Sequence, residues 1–252
     1  MNLNSQLISK LAFLHHTKFT GILTTTTQKG QSWNIYLYLG QLLWTESTIH
    51  RNRFWQRNLT KLCPKLTSTN HEFKNTNDNY ISDYYLINIL REHKLVAREN
   101  ILELIKRSII DSFFEILQYE AGEKATFLVK THPPLFFLKS DFNLSLSCLQ
   151  IFPLLEQAET NWINWKNKGL ASCSPNLAPL LKQAQQLEKQ VSPLIFQNMF
   201  RLLDGKNTLR DLAMKMDKDV LEVAIGLVPY FFKGYLRLLE VPDISKIYFQ
   251  VK

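Results

Sequence analysis

Between Trp33 and Leu39 the apolar side chains fall on every second position. Trp33, Ile35, Leu37 and Leu39 lie on one side of an extended chain, and Asn34, Tyr36 and Tyr38 on the other. The stretch "KFTGILTTTT" before it is rich in β-branched and apolar residues and predicts a strand. "QKGQS", with Gly30, is a turn, "GQ" turns the chain again, and "LLWTE" returns it. These segments predict an antiparallel meander with one face on a core. Leu3, Leu7, Ile8 and Leu11 have helical spacing and predict a short helix in front of it.

From His50 the period becomes helical. His50, Arg53, Arg57 and Lys61 recur at i, i+3, i+7 and i+11 and draw one basic stripe. Trp55, Leu59 and Leu62 fall on the opposite side, towards a core, and Phe54 lies beside the stripe. Residues 66–79 are polar, rich in Asn and Thr, and read as a loop. Two helices follow, "YLINILREH" and a longer one from Arg98 to Tyr119 with Ile101, Leu104, Ile105, Ile109 and Ile116 on one face. "AGEKATFLVK" is a turn and strand, broken by Pro133 and Pro134. A helix then carries Leu155, Ala158, Trp162 and Trp165 on one face.

"GLASCSPNLAPLL" holds two prolines and small residues and reads as an internal boundary. Beyond it come a helix stopped at Gly205, a short helix with Thr208 as N-cap, a longer helix capped by Gly234, and the strand "YLRLLEV". That order is the order of a winged helix-turn-helix. The expected fold is therefore α+β: a small antiparallel sheet with packed helices in residues 1–150. Residues 151–252 would hold a helical linker and a C-terminal winged-helix-like unit.

Charge changes the picture only in part. The net charge of +8 favours acidic partners, whether nucleic acid, anionic membrane or an acidic protein face. The longest helix of the last unit, "DVLEVAIGLVPYFF", begins with Asp219 and Glu222 and has no cation before Lys233. Such a helix repels phosphate, so DNA reading by this unit is the second choice. Three scattered cysteines without a CxxC pair argue against a zinc ribbon or disulfide framework and fit a reducing compartment. No apolar run approaches the roughly 20 residues of a spanning helix, and the N-terminus lacks the layout of a signal peptide, so a cytoplasmic protein is expected.

No nucleophile elbow, phosphate loop or HExxH is present, and neither enzyme activity, cofactor nor metal is expected. His15 and His16 are adjacent and point about 100° apart on a helix, a poor chelate. Asp111 and Glu115 stand at i,i+4, which suits a solvated helix face better than an acid–base pair. What remains is the basic stripe. Arginines beside an exposed aromatic are typical of interface hot spots. His50, Arg53, Phe54, Arg57 and Lys61 are therefore the candidate protein-partner site; the competing reading is a plain amphipathic helix with solvated cations.

Five stretches in order carry a resemblance: "FTGILTTTTQKGQSWNIYLYLGQLLWTE", "HRNRFWQRNLTKLCP", "IIDSFFEILQYE", "NWINWKNKGLASCSPNLAPLLKQ" and "LLDGKNTLRDLAMKM". Together, and on through "VPYFFKGYLRLLEVPDI", they resemble the PATAN region of cyanobacterial PatA-like response regulators over nearly the whole chain. The resemblance implies a non-enzymatic protein-interaction region of a signalling pathway, connected with phototaxis through type IV pili or with heterocyst patterning. The implied partner is a pilus-motor component or another regulator. A receiver domain usually follows PATAN; after Asp243 this sequence has only "ISKIYFQVK", so the expectation is a PATAN protein without a phosphoacceptor domain.

Overall fold

The computed structural model describes residues 5–62, 83–133 and 149–245. Leu3, the polar stretch at 66–79 and both Cys63 and Cys148 lie outside the described residues. The protein is α+β. It divides between Asn164 and Trp165 into two units, near the end of the helix that follows the expected division at 150.

The first unit opens with α1 (Gln6–His16), whose Ser5 N-cap accepts from Ile8 N. Leu7, Ile8, Leu11 and Leu14 form its buried stripe. Three strands follow, β1 (Gly21–Thr26), β2 (Ser32–Tyr38) and β3 (Gln41–Ser47). Then come α2 (Arg51–Leu62), α3 (Asp83–Glu92), α4 (Arg98–Glu120) and β4 (Thr126–Thr131), and the division falls within the last turn of α5 (Ile151–Asn167). The sheet is antiparallel throughout, in the order β3-β2-β1-β4.

The alternation along β2 is the expected one: Trp33, Ile35 and Leu37 are buried. Leu39 departs from it. It is 52% exposed and, with Gly40, forms the two-residue turn between β2 and β3. Both residues have positive φ, +48° and +74°, the conformation whose twist matches a hairpin. Leu39 N donates to Thr20 Oγ1 (3.0 Å) and Gly40 N to Phe19 O (2.8 Å), which tie the turn to the segment before β1.

One face of the sheet packs on α4. Thr45 Oγ1 lies 3.1 Å from Ser108 Oγ and accepts from Ser112 Oγ at 3.0 Å, and Trp33 Nε1 donates to Glu115 at 2.9 Å. Glu115 is thus engaged in holding the indole. The other face is not left to solvent, contrary to the one-faced expectation. A bulge between Tyr36 and Leu37 gives β3 an extra residue and sets Trp44 opposite Tyr36 on the outer face. There Trp44 stacks on Trp55 of α2, with ring centroids 6.3 Å apart.

The second unit, Trp165–Ile244, contains β5 (Ala178–Leu181), α6 (Ala184–Glu188), α7 (Pro193–Leu202), α8 (Leu209–Met216), α9 (Val220–Phe232) and β6 (Leu236–Leu239). Thr208 caps α8 in a capping box with Asp211, as its position suggested. The helix, short helix, longer helix and strand stand in the expected order. However, β6 pairs with β5, which precedes those helices, and among the described residues no strand follows β6 to make a wing. The proline-bearing stretch read as a boundary therefore contributes a strand. Pro179 is tolerated there because its carbonyl still accepts, from Gly205 N at 3.1 Å.

Candidate interaction site

The helix α2 starts abruptly. His50 has φ +48° and its carbonyl accepts from Phe54 N at 2.8 Å. Five residues of this segment were expected to make the partner face, and the structure distributes them unevenly. Lys61 is exposed, while His50, Phe54 and Arg57 are half-buried. Arg53 is buried, only 9% exposed, so the stripe is interrupted at its first arginine. Trp55 and Leu59 are buried as expected, joined by Asn58, whose Nδ2 donates back to Phe54 O at 2.8 Å. The periodicity marked a polar side of α2 correctly as a side, but both Arg53 and Trp55, about 160° apart around the helix, are withdrawn from water. Water reaches the stripe mainly in its C-terminal half, where Arg57 is half-buried and Lys61 exposed, with Phe54 at the edge.

Beneath α2 lies a polar cluster that no spacing announced. The carboxylate of Asp83, at the start of α3, accepts from Arg51 Nε at 2.6 Å and from Trp55 Nε1 at 2.8 Å. Arg51 keeps 35% of its side-chain surface in water while Asp83 keeps 6%. On the sheet beside them, Tyr36 Oη donates to Glu46 at 2.6 Å. Burial pushes the Glu46 carboxyl above its ordinary range, more than the Tyr36 hydrogen bond pulls it down. Burial also pushes Asp83 up, against the pull of Arg51 and Trp55. The Tyr36 hydroxyl is pushed up by burial and then by Glu46, so it remains a proton donor. The cluster pins α2 and α3 against the outer face of the sheet. Among the described residues no three His, Cys, Asp or Glu side chains come together as metal ligands.

The other chemical candidates resolve simply. His15 Nδ1 lies 2.8 Å from Gly40 O, on the hairpin turn, and His16 is exposed. Cys173 has its thiol pushed up to about 11 by burial, so it is a poor nucleophile. No helix among the described residues is long and apolar enough to cross a membrane.

A second surface stands out in the Trp165–Ile244 unit. The helix α7, PLIFQNMFRL, has no buried residue. Ser192 caps it and Pro193 opens it, so it is a well-started helix by local rules. Its apolar residues Ile195, Phe196, Met199, Phe200 and Leu202 share one side, yet Ile195 is 46% and Phe200 62% exposed. At the end of α9, Phe231 and Phe232 are also exposed, Phe232 to 82%. The sequence signalled the helix but not its exposure, because periodicity reports which side is apolar and not whether anything covers it. Compared with protein-family models, curated proteins and solved structures, the chain matches none.

Proposed function

We propose that this protein is a non-enzymatic signalling adaptor of the PATAN kind, working in the cytoplasm by binding a protein partner. The observation that carries the reading is α7: a capped, amphipathic helix none of whose residues is buried among the described residues. Exposed contiguous apolar surface of this kind marks interaction sites, and an apolar helix face with aromatic anchors fits a partner's groove or helix. Arg57 and Lys61 give the C-terminal half of α2 a positive character, suited to an acidic protein face. The order of the five motifs in the sequence supports a pilus-motor component or another regulator as the class of partner.

The test is affinity purification from the native host, run beside a regulator that carries PATAN and a receiver. A partner shared by both, and lost from the Ile195→Ser/Phe200→Ser variant, supports the proposal. These two side chains are 46% and 62% exposed, so the variant should remain folded. Disjoint partner sets, or a partner set indifferent to the α7 variant, would overturn it.

A further inference from the structure

The two edges of the four-stranded sheet are treated differently. On the β3 edge, Leu42 and Leu149 exchange both backbone hydrogen bonds at 2.9 Å, and Leu42, Leu43, Trp44 and Thr45 are all buried. The β4 edge has no such pairing among the described residues. Every residue of β4 except Phe127 is exposed, with Leu128 at 64% and Val129 at 42%. His132 N donates to Thr20 O. The alternation of an antiparallel ladder then assigns Lys130, Leu128 and Thr126 to the hydrogen bonds with β1. The N–H and C=O groups of Phe127 and Val129 consequently point outward, and among the described residues no strand pairs with them. An uncovered strand with apolar side chains is a template for another strand.

We infer that β4 pairs antiparallel with β4 of a second copy of this chain, across a two-fold axis at Leu128, to give one continuous eight-stranded sheet. Outward residues must face outward residues, so the axis has to pass through a residue and not between two. Centring on Lys130 opposes two lysines, and centring on Phe127 brings Lys124 against Lys130. Centring on Val129 sets Leu128 against Lys130. Centring on Leu128 alone sets Leu128 against Leu128, Phe127 against Val129 twice, and Lys130 against Thr126. The Leu128 pair is then of the close, non-hydrogen-bonded type, and the two Phe127–Val129 pairs supply four backbone hydrogen bonds. Charge separates this occupant from an acidic partner's strand. Two copies each carrying +8 repel one another, so added salt strengthens the pairing, whereas it weakens attachment of an acidic partner.

The experiment is sedimentation equilibrium of the full chain across concentration and salt. The wild type should approach twice 29.5 kDa, more readily at higher salt. Leu128→Lys should weaken dimerisation about tenfold or more, by removing the Leu pair and opposing like charges. Leu128→Glu should do the same, and mixing the two variants should restore a dimer, since only this register sets position 128 against itself. Val129→Pro removes an outward N–H without touching the β1 ladder and should also give a monomer. Thermal unfolding monitored by circular dichroism confirms that Leu128→Lys, at an exposed site, is folded. A wild type that remains at 29.5 kDa, or a dimer unmoved by the Leu128 variants, overturns the inference.

Discussion

Replacing Asp83 by alanine tests the cluster under α2 most directly. The carboxylate accepts from two donors, and they fare differently when it is removed. Trp55 is 4% exposed, so its indole N–H would be left buried without an acceptor, at a cost of about 1–3 kcal/mol. Arg51 retains about a third of its surface in water and rehydrates, so losing its ion pair adds only about 0.5–1 kcal/mol. Part of this is offset because a buried charge disappears. The expected net loss is therefore about 2–3 kcal/mol for Asp83→Ala and about 1 kcal/mol for Asp83→Asn, whose amide oxygen can still accept one bond. Urea unfolding followed by tryptophan fluorescence is the suitable assay, because the Trp44–Trp55 stack sits beside the perturbation. In a Trp55→Phe background the orphaned donor is gone, and Asp83→Ala should then cost about 1 kcal/mol less. A loss below about 0.5 kcal/mol, or the same loss in both backgrounds, would refute the reasoning.

Three other outcomes are expected. Arg53→Glu should destabilise by about 2 kcal/mol or more in the same urea assay, because it reverses a buried charge, whereas Lys61→Glu should stay within about 0.5 kcal/mol; equal effects would place Arg53 in solvent. Gly40→Ala should cost about 3 kcal/mol or more, since φ is +74° and a Cβ would lie 2.6 Å from His15 O, while Gly30→Ala, at φ +79° with open space around it, should cost about 1–2 kcal/mol. Glu46 binds its proton more tightly folded than unfolded, so its contribution is greatest at acid pH and declines as pH rises from the ordinary value of 4.5 through the raised one. Glu46→Gln should accordingly flatten the stability–pH profile above pH 4.5, measured as urea midpoints, and an unchanged slope would contradict the raised carboxyl.

Much of the fold was legible because local signals and burial agreed. The helix expected at Arg98–Tyr119 is Arg98–Glu120, and the cap at Thr208 lies where its chemistry points. The strand β5 was not legible, because Pro179 speaks against a strand and its pairing to β6 spans the whole helical run. The Asp83 cluster joins residues 28 and 32 positions apart, beyond the reach of any helical or strand period. The expected site was legible only as a direction on a helix. Spacing placed Arg53, Arg57 and Lys61 together, but which of them water reaches was decided by what packs around α2.

The strand order β3-β2-β1-β4 has a consequence for synthesis. The first strand made, β1, is an inner strand, and the hairpins supply its β2 side at once. Its other side waits for β4, roughly a hundred residues later, about 5–20 s at ordinary ribosomal rates. Over that interval the nascent chain presents an unpaired edge at Gly21–Thr26, GILTTT, with no charge in it to discourage a neighbouring chain. Expression conditions that slow elongation between residues 26 and 131 should therefore raise the insoluble fraction, while the finished protein is shielded at that edge by β4.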